Sequence, residues 1–232
     1  MLSPNSKLLI LARHPESTKN LETRFSTSDG NEVLTDHGAS QAIEFAVIMN
    51  RTLEILNVPP DRCCVASSTS LRARGTAESA ASAIGSHVVV DRRLNAISAG
   101  ALAGVEEVNA HKVAPRFVDD LELYRAGVFN SYRLSGYGED VRDFETRIKA
   151  SLVGLLATDF QVVAIVAHRS SITASLIVLA RLSLGYPESF YGYIPLELGN
   201  LSAAFVDLEN VAWVGINLSP KELNHRLLLR QD

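Results

Sequence analysis

The chain has 232 residues, 47% hydrophobic and 21% charged, the balance of a globular protein long enough to bury a substantial core. Its formal charge is −4, from 22 Lys and Arg against 26 Asp and Glu; no general polyanion-binding surface and no nucleic-acid partner are implied, so any anion site must be local. The two cysteines, Cys63 and Cys64, are adjacent and offer no basis for a disulfide framework.

Met1 to Lys7 lack the apolar core of a signal peptide. The longest relevant uncharged stretch, Ser170 to Ala180, falls short of the roughly 20 residues that span a bilayer. The expectation is a cytoplasmic protein with no membrane partner. A first buried strand is predicted near residues 7–13, followed by a polar loop from Glu16 to Asn31. A helix then runs from near Thr35 to about Leu56, stopped by Pro59-Pro60. Cys63 to Ser67 reads as a second strand, the Ala-rich stretch Leu71 to Ile84 as a helix ended by Gly85, and Val88 to Val90 as a third strand. Residues 98–138 are less regular, with one helix around Val118–Ala126, and read as a small insertion over the site. A helix from about Val141 to Leu156, a strand at 162–167 and a helix from about Ser171 to Leu182 follow. Asn200 to Leu208 and Val211 to Asn217 look like two closing strands. Repeated β–α alternation predicts an α/β fold over 1–232 as one domain, with a mainly parallel central sheet and helices on both faces.

Two strands end alike. Lys7 to Ala12 runs into Arg13-His14, and Val162 to Ala167 runs into His168-Arg169. In an open α/β sheet the carboxyl ends of the strands face the ligand crevice. Two imidazoles and two guanidiniums delivered there form a pocket suited to a phosphate. The other ends carry Ser67-Ser68-Thr69-Ser70-Leu71-Arg72 and Glu16-Ser17-Thr18-Lys19-Asn20. Other chemistries lack their motifs: there is no Gly-x-Ser-x-Gly elbow, His-Glu-x-x-His or Cys-x-x-Cys ligand set, Walker loop or Gly-x-Gly-x-x-Gly fingerprint. Neither a metal nor a cofactor is expected.

These segments together resemble the histidine phosphatase superfamily, which includes phosphoglycerate mutases and many small-molecule phosphatases. The hallmark Arg-His-Gly-Glu-(Ser/Thr)-x-x-Asn is matched by Arg13, His14, Glu16, Ser17 and Asn20, with Pro15 in place of glycine. Arg24-Phe25, Leu34-Thr35…Gly38…Gln41-Ala42, Ser67-Ser68…Arg72-Ala73…Thr76-Ala77, Gly138-Glu139…Arg147, Ala167-His168 and Leu198–Asn200 follow in the family's order. The resemblance implies a phosphoglycerate mutase-like fold and a phosphatase acting on a small phosphorylated molecule. His14 becomes the nucleophile that takes the phosphoryl group, which requires a neutral ring whose second nitrogen holds its proton on an acceptor. Arg13 and Arg72 clamp the phosphoryl oxygens, His168 stabilises the developing charge, and Ser17 and Asn20 add neutral donors.

Three departures qualify that reading. The family's acidic glutamate is expected at position 96, where this chain has Ala96. A positioned general acid is typically worth ~10²–10⁴-fold, so either another carboxylate substitutes, the leaving group needs little protonation, or turnover is slow. Glu16, Glu106, Glu107 and Glu139 are the candidate substitutes, with Glu139 favoured. The loss weighs against a mutase more than a hydrolase. Arg169 stands where relatives carry a small residue; it either binds a second anionic group or turns to solvent or a local acid. Pro15 removes one backbone N–H beside the site. The alternative readings are a weakly active phospho-ligand-binding protein and a phosphohistidine phosphatase. Tyr124, Arg125, Tyr132, Arg133 and Tyr137 are further candidates to line the pocket, while His37, His87, His111 and His225 read as surface or capping residues.

Overall fold

The computed structural model describes residues 7–22, 24–26, 30–125, 128–129, 138–184, 192–193, 203–207 and 212–218. In chain order the elements are β1 (Leu8–Arg13), α1 (Thr18–Leu21), α2 (Asp36–Leu56), β2 (Cys63–Ser67), α3 (Leu71–Ile84), β3 (Val88–Val90), α4 (Glu107–Val113), α5 (Pro115–Arg125), β4 (Val128–Phe129), α6 (Val141–Leu156), β5 (Val162–Ala167), α7 (Arg169–Leu184), β6 (Gly192–Tyr193), β7 (Ala203–Asp207) and β8 (Ala212–Leu218). The main sheet has the order β3-β2-β5-β1-β7-β8. Its first four strands are mutually parallel. The two closing strands break that pattern, β7 pairing antiparallel with β1 and β8 antiparallel with β7. A short β4–β6 pair stands apart.

Strand alternation sorts the core into two layers, because successive side chains point to opposite faces. Leu9 and Leu11 of β1 join Cys64, Ala66, Val163 and Ile165 under Phe144, Ile148 and Leu152 of α6 and Ile172 and Leu176 of α7. Leu8, Ile10 and Ala12 face the other way, with Cys63, Val65, Val162 and Ala164, against Phe45 and Met49 of α2 and Ala73, Ala77 and Ala80 of α3. The expected arrangement of helices on both faces of the sheet is therefore present, and Cys63 and Cys64 are core residues, one for each layer.

Local signals explain the boundaries. Thr35 caps α2 by accepting the Gly38 N–H at 3.0 Å. Position 38 requires glycine, because a Cβ there would collide with the Glu16 carbonyl oxygen. The first turn of α2 is thus laid directly on the loop after β1. Gly85 ends α3 with φ +69°, the left-handed cap that glycine adopts without a steric cost.

The structure departs from the predicted elements elsewhere too: α1 lies within the expected loop from Glu16 to Asn31, and the short strands β4 and β6 were not indicated. Residues 107–113 form a helix that the irregular pattern of 98–138 did not indicate, and α7 begins at Arg169 rather than near Ser171. Ile172 N–H already bonds to the His168 carbonyl at 2.9 Å, so strand and helix are separated by His168 alone. The described part of residues 98–138 also packs inward. Ala99, Leu102, Ala110, Phe117 and Leu121 belong to the same core layer as α6 and α7.

Candidate active site

The parallel register delivers both histidines to one place. Arg13 pairs with Ala167 across β1 and β5, and the His14 N–H donates to the Ala167 carbonyl at 2.9 Å. His14 and His168 are therefore the next residues on neighbouring strands, with ring centroids 5.3 Å apart and planes at 66°. On the far side of β5, Ser67 pairs with Val166. Ser68 thereby reaches His168, with 2.9 Å between its Oγ and the ring Nε2, and Ser70 Oγ lies 3.3 Å from the same nitrogen.

Hydrogen bonding fixes the His14 tautomer. Nδ1 lies 2.8 Å from the Pro15 carbonyl, which can only accept. Nε2 lies 3.1 Å from Arg72 Nε, which can only donate. The proton is therefore on Nδ1 and the lone pair on Nε2. Burial, then the charges of Arg72 and Arg13, push the His14 pKa well below the usual histidine value, although the Pro15 carbonyl opposes them. His168 is lowered in the same direction by burial first, then by Arg72, His14 and Arg13. Both rings are neutral at pH 7. Pro15 removes an N–H, yet its carbonyl anchors the ring before it.

Arg72, in the first turn of α3, is the hub of the site and is only 3% exposed. Its Nε faces His14, its Nη2 lies 3.3 Å from Ser26 Oγ and 3.5 Å from His168 Nδ1, and its Nη1 donates to Glu32 at 2.6 Å. The edge formed by Nε and Nη2 faces the two imidazoles, while Glu32 holds the third nitrogen. Burial lowers the Arg72 pKa and Glu32 counteracts it. Glu32 and Ser26 did not stand out in the sequence, and Ser68 and Ser70 stood in the segment after β2 without a role assigned to either. Glu32 follows a glycine-asparagine step in a loop and carries no motif of its own.

Two cavities open around these groups. The smaller, about 350 Å³, is lined by Arg13, His14, Lys19, Asn20, Arg72, Arg125, His168 and Arg169, with Glu22, Glu107 and Glu122 among its other walls. The larger, about 840 Å³, is lined by Phe25, Ile97, Ala99, Ala103 and Leu121 together with Arg92, Arg93, Arg147 and Glu139. Ser26, Arg72, Ala96, Arg125 and His168 border both. Cations crowd the smaller cavity enough that burial, then Arg169, Arg125 and Arg72, bring Arg13 down to about 10. Lys19 is lowered too, chiefly by burial. Among the described residues, no group of three His, Cys, Asp or Glu side chains is arranged to hold a metal ion.

The structure brings Arg13, His14, Arg72, His168, Asn20 and Arg169 to the smaller cavity. Ser17 is not there. It is fully buried, and its N–H and Oγ both donate to Asn20 Oδ1, at 2.9 and 2.7 Å, so it holds Asn20 in place. Glu139 lines only the larger cavity. Its two oxygens take Nε and Nη2 of Arg147 at 2.6 and 2.8 Å, a forked pair that ties it to α6. Glu16 accepts from Thr35 Oγ1 at 2.7 Å and Glu106 from Asn109 at 3.0 Å; only Glu107, of the four, reaches the smaller cavity. Arg169 lines that cavity and pairs with a local acid, Glu122, at 3.3 Å. Arg125 joins it there, but Tyr124 does not, being a buried core residue whose hydroxyl donates to Glu145 at 3.2 Å. Tyr132, Arg133, Tyr137, His225 and the Leu198–Asn200 segment lie outside the described residues. His37 and His87 are exposed, and His111 sits at the surface 3.1 Å from Asp119.

A model of the histidine phosphatase superfamily (branch 1) matches residues 9–218. The chain belongs to that superfamily. Comparison with curated proteins gives no match. Solved structures similar to it include a mycobacterial glucosyl-3-phosphoglycerate phosphatase complexed with VO3, at 22% identity and a TM-score of 0.68, covering 92% of this chain and 100% of that one. A mutant phosphoserine phosphatase from Entamoeba histolytica, in complex with phosphoserine, is similar at 19% identity and a TM-score of 0.67, covering 94% and 99%. A second mycobacterial protein, mycobacterial hydrolase 2, is similar at 21% identity and a TM-score of 0.68, covering 97% of each chain. At these identities the likeness establishes the fold, the phosphoglycerate mutase-like α/β architecture. No helix among the described residues is long and apolar enough to cross a membrane.

Proposed function

We propose that the protein is a metal-independent phosphatase that hydrolyses a small phosphorylated metabolite through a phosphohistidine on His14. The observation that carries this reading is the His14 tautomer. A buried, neutral imidazole presents its Nε2 lone pair toward a guanidinium edge that spans both histidines. That is the arrangement an in-line displacement needs, since nucleophile placement and charge stabilisation supply most of the catalysis.

In the reaction the substrate's phosphoryl oxygens replace His14 and His168 as acceptors for Arg72. Nε2 forms a bond to phosphorus as the bond to the leaving oxygen breaks. Arg13 and Arg72 hold the non-bridging oxygens, and Asn20 offers its amide N–H. His168 donates to the same oxygens from Nδ1, once its proton has moved there and the Ser68 hydroxyl donates to Nε2. The proton stays on Nδ1 of His14, donated to the Pro15 carbonyl, and that hydrogen bond stabilises the phosphorylated ring. Water then attacks phosphorus, the N–P bond breaks, and inorganic phosphate leaves. Arg169 contacts a further part of the substrate, and the remainder lies in the larger cavity beyond Ala96. The superfamily membership and the structurally similar phosphatases support this reading.

A panel of metabolite phosphates assayed in the presence of EDTA tests it. Hydrolysis by wild type with loss in His14→Ala is the expected result; an EDTA-sensitive activity, or turnover that survives His14→Ala, would overturn it. Phosphate binding without hydrolysis across the panel would favour a phospho-ligand-binding protein instead.

A further inference from the structure

The smaller cavity carries three more cations than one phosphoryl group uses, beside three carboxylates, Glu22, Glu107 and Glu122. Arg13 and Arg72, with the two imidazoles, account for a single tetrahedral anion. Lys19, Arg125 and Arg169 line the same space. Their partners are weak. Glu122, half-exposed, is shared between Arg125 at 2.6 Å and Arg169 at 3.3 Å, and among the described residues Lys19 has only the half-exposed Glu107 at 3.8 Å. The carboxylate of each pair is half in solvent, which screens the pair and leaves it open to exchange. Arg169 also carries an unmet donor: among the described residues its Nε, shielded from solvent, has no hydrogen-bond partner. A buried N–H without an acceptor is costly, and an anion in the cavity would supply one.

The absent carboxylate at Ala96 belongs to the same account. Without a positioned proton donor, an alkoxide leaves poorly. A phosphate monoester leaves readily without protonation, provided cations take up its charge. We propose that the cavity holds two linked phosphoryl groups and that the protein removes the terminal phosphate of a diphosphate ester. In that arrangement His14 takes the outer phosphoryl group, and Lys19, Arg125 and Arg169 hold the inner one. Arg125 borders both cavities, so the organic group continues past Ala96 into the larger one, against Phe25, Ile97 and Leu121.

This deepens the phosphatase reading and rests on it. His14 Nε2 bonds to the terminal phosphorus while the bond from that phosphorus to the bridging oxygen breaks. The electron pair remains on that oxygen, which becomes a non-bridging oxygen of the departing monoester. No proton is needed at this step. Water then adds to phosphorus, the N–P bond returns its pair to Nε2, and inorganic phosphate departs. Overall one water is consumed, and its protons are shared between the phosphate and solvent.

The test compares butyl phosphate with butyl diphosphate, using phenyl phosphate to report the basal chemistry and ³¹P NMR to identify products. Wild type should cleave the diphosphate to butyl phosphate and inorganic phosphate with a kcat/KM about 100-fold above that for butyl phosphate, the scale of a missing general acid. Arg169→Gln and Arg125→Gln should each lower that ratio about tenfold, as expected for one charge-assisted contact. If wild type hydrolyses phenyl phosphate but treats the two butyl compounds alike, the diphosphate assignment is overturned and the phosphatase reading stands. An unchanged ratio in both variants would likewise overturn it. Failure on all three compounds removes both.

Discussion

Glu32 is the residue whose removal should be felt most sharply outside the reacting groups. Its carboxylate lies 2.6 Å from Arg72 Nη1, with side-chain exposures of 11% and 4%. Truncating one partner of a buried pair leaves the other charge uncompensated, typically at about 3–5 kcal/mol. Arg72 keeps His14 and Ser26 as acceptors, so Glu32→Ala should sit near the lower end, about 3 kcal/mol. Glu32→Gln retains an acceptor and loses only the charge, so about 1–2 kcal/mol is expected. Urea denaturation followed by circular dichroism measures both. A double-mutant cycle with Arg72→Met should show strong coupling, the double variant being less destabilised than the sum of the singles. Added inorganic phosphate should stabilise Glu32→Ala, because the freed guanidinium gains a replacement anion. A cost below about 0.5 kcal/mol for Glu32→Ala, as for an ordinary surface pair, together with additive behaviour in the cycle, would refute this account of Arg72.

Three further outcomes follow from the geometry. Gly38→Ala should destabilise the fold by about 2–4 kcal/mol, since the new methyl meets a backbone oxygen that cannot rotate away; a thermal midpoint within a degree of wild type would show that α2 docks differently. Ala96→Glu should speed the cleavage of alkyl phosphates, by up to ~10²-fold, with little gain on aryl esters; equal effects on both would remove Ala96 as an explanation of leaving-group preference. Stability should decline on acidification through pH 6.5. The unfolded chain protonates its histidines near 6.5 while buried His14 and His168 stay neutral, so the unfolded state takes up more protons and loses no pairing. Each histidine then withdraws about 1.4 kcal/mol per pH unit below that value. Urea midpoints between pH 7.5 and 5.5 test this, and a flat profile contradicts it.

The sequence made the strands legible because each buried strand is a short apolar run with an abrupt polar end. The bounds of Cys63–Ser67 and Leu71–Ile84 follow from Ser68 and Gly85, and those of β5 from His168. The position of the imidazoles was equally readable: neighbouring parallel strands end at the same edge of the sheet, so the residues that follow them gather there. Pairing direction was not, since β7 and β8 have strand-like composition whichever way they run. Partner choice was also hidden. Nothing local marks Glu32 as the counter-ion of Arg72, 40 residues away, or Glu139 as the partner of Arg147 rather than of the reacting centre. Ser17 illustrates the converse, a motif residue placed correctly in the loop whose donors turn inward to Asn20. Such assignments depend on which long side chains meet after folding, and neither periodicity nor composition encodes that.

The nitrogen that attacks phosphorus is the centre of the whole account, and it can be observed directly. Wild type mixed with phenyl phosphate, quenched under alkaline conditions within milliseconds and digested, should yield a peptide carrying one phosphoryl group on His14, stable to base and lost in acid. The same treatment of His14→Ala should yield none. Steady turnover with no phosphorylated His14 at any quench time, or a label that appears on another residue, would contradict the mechanism.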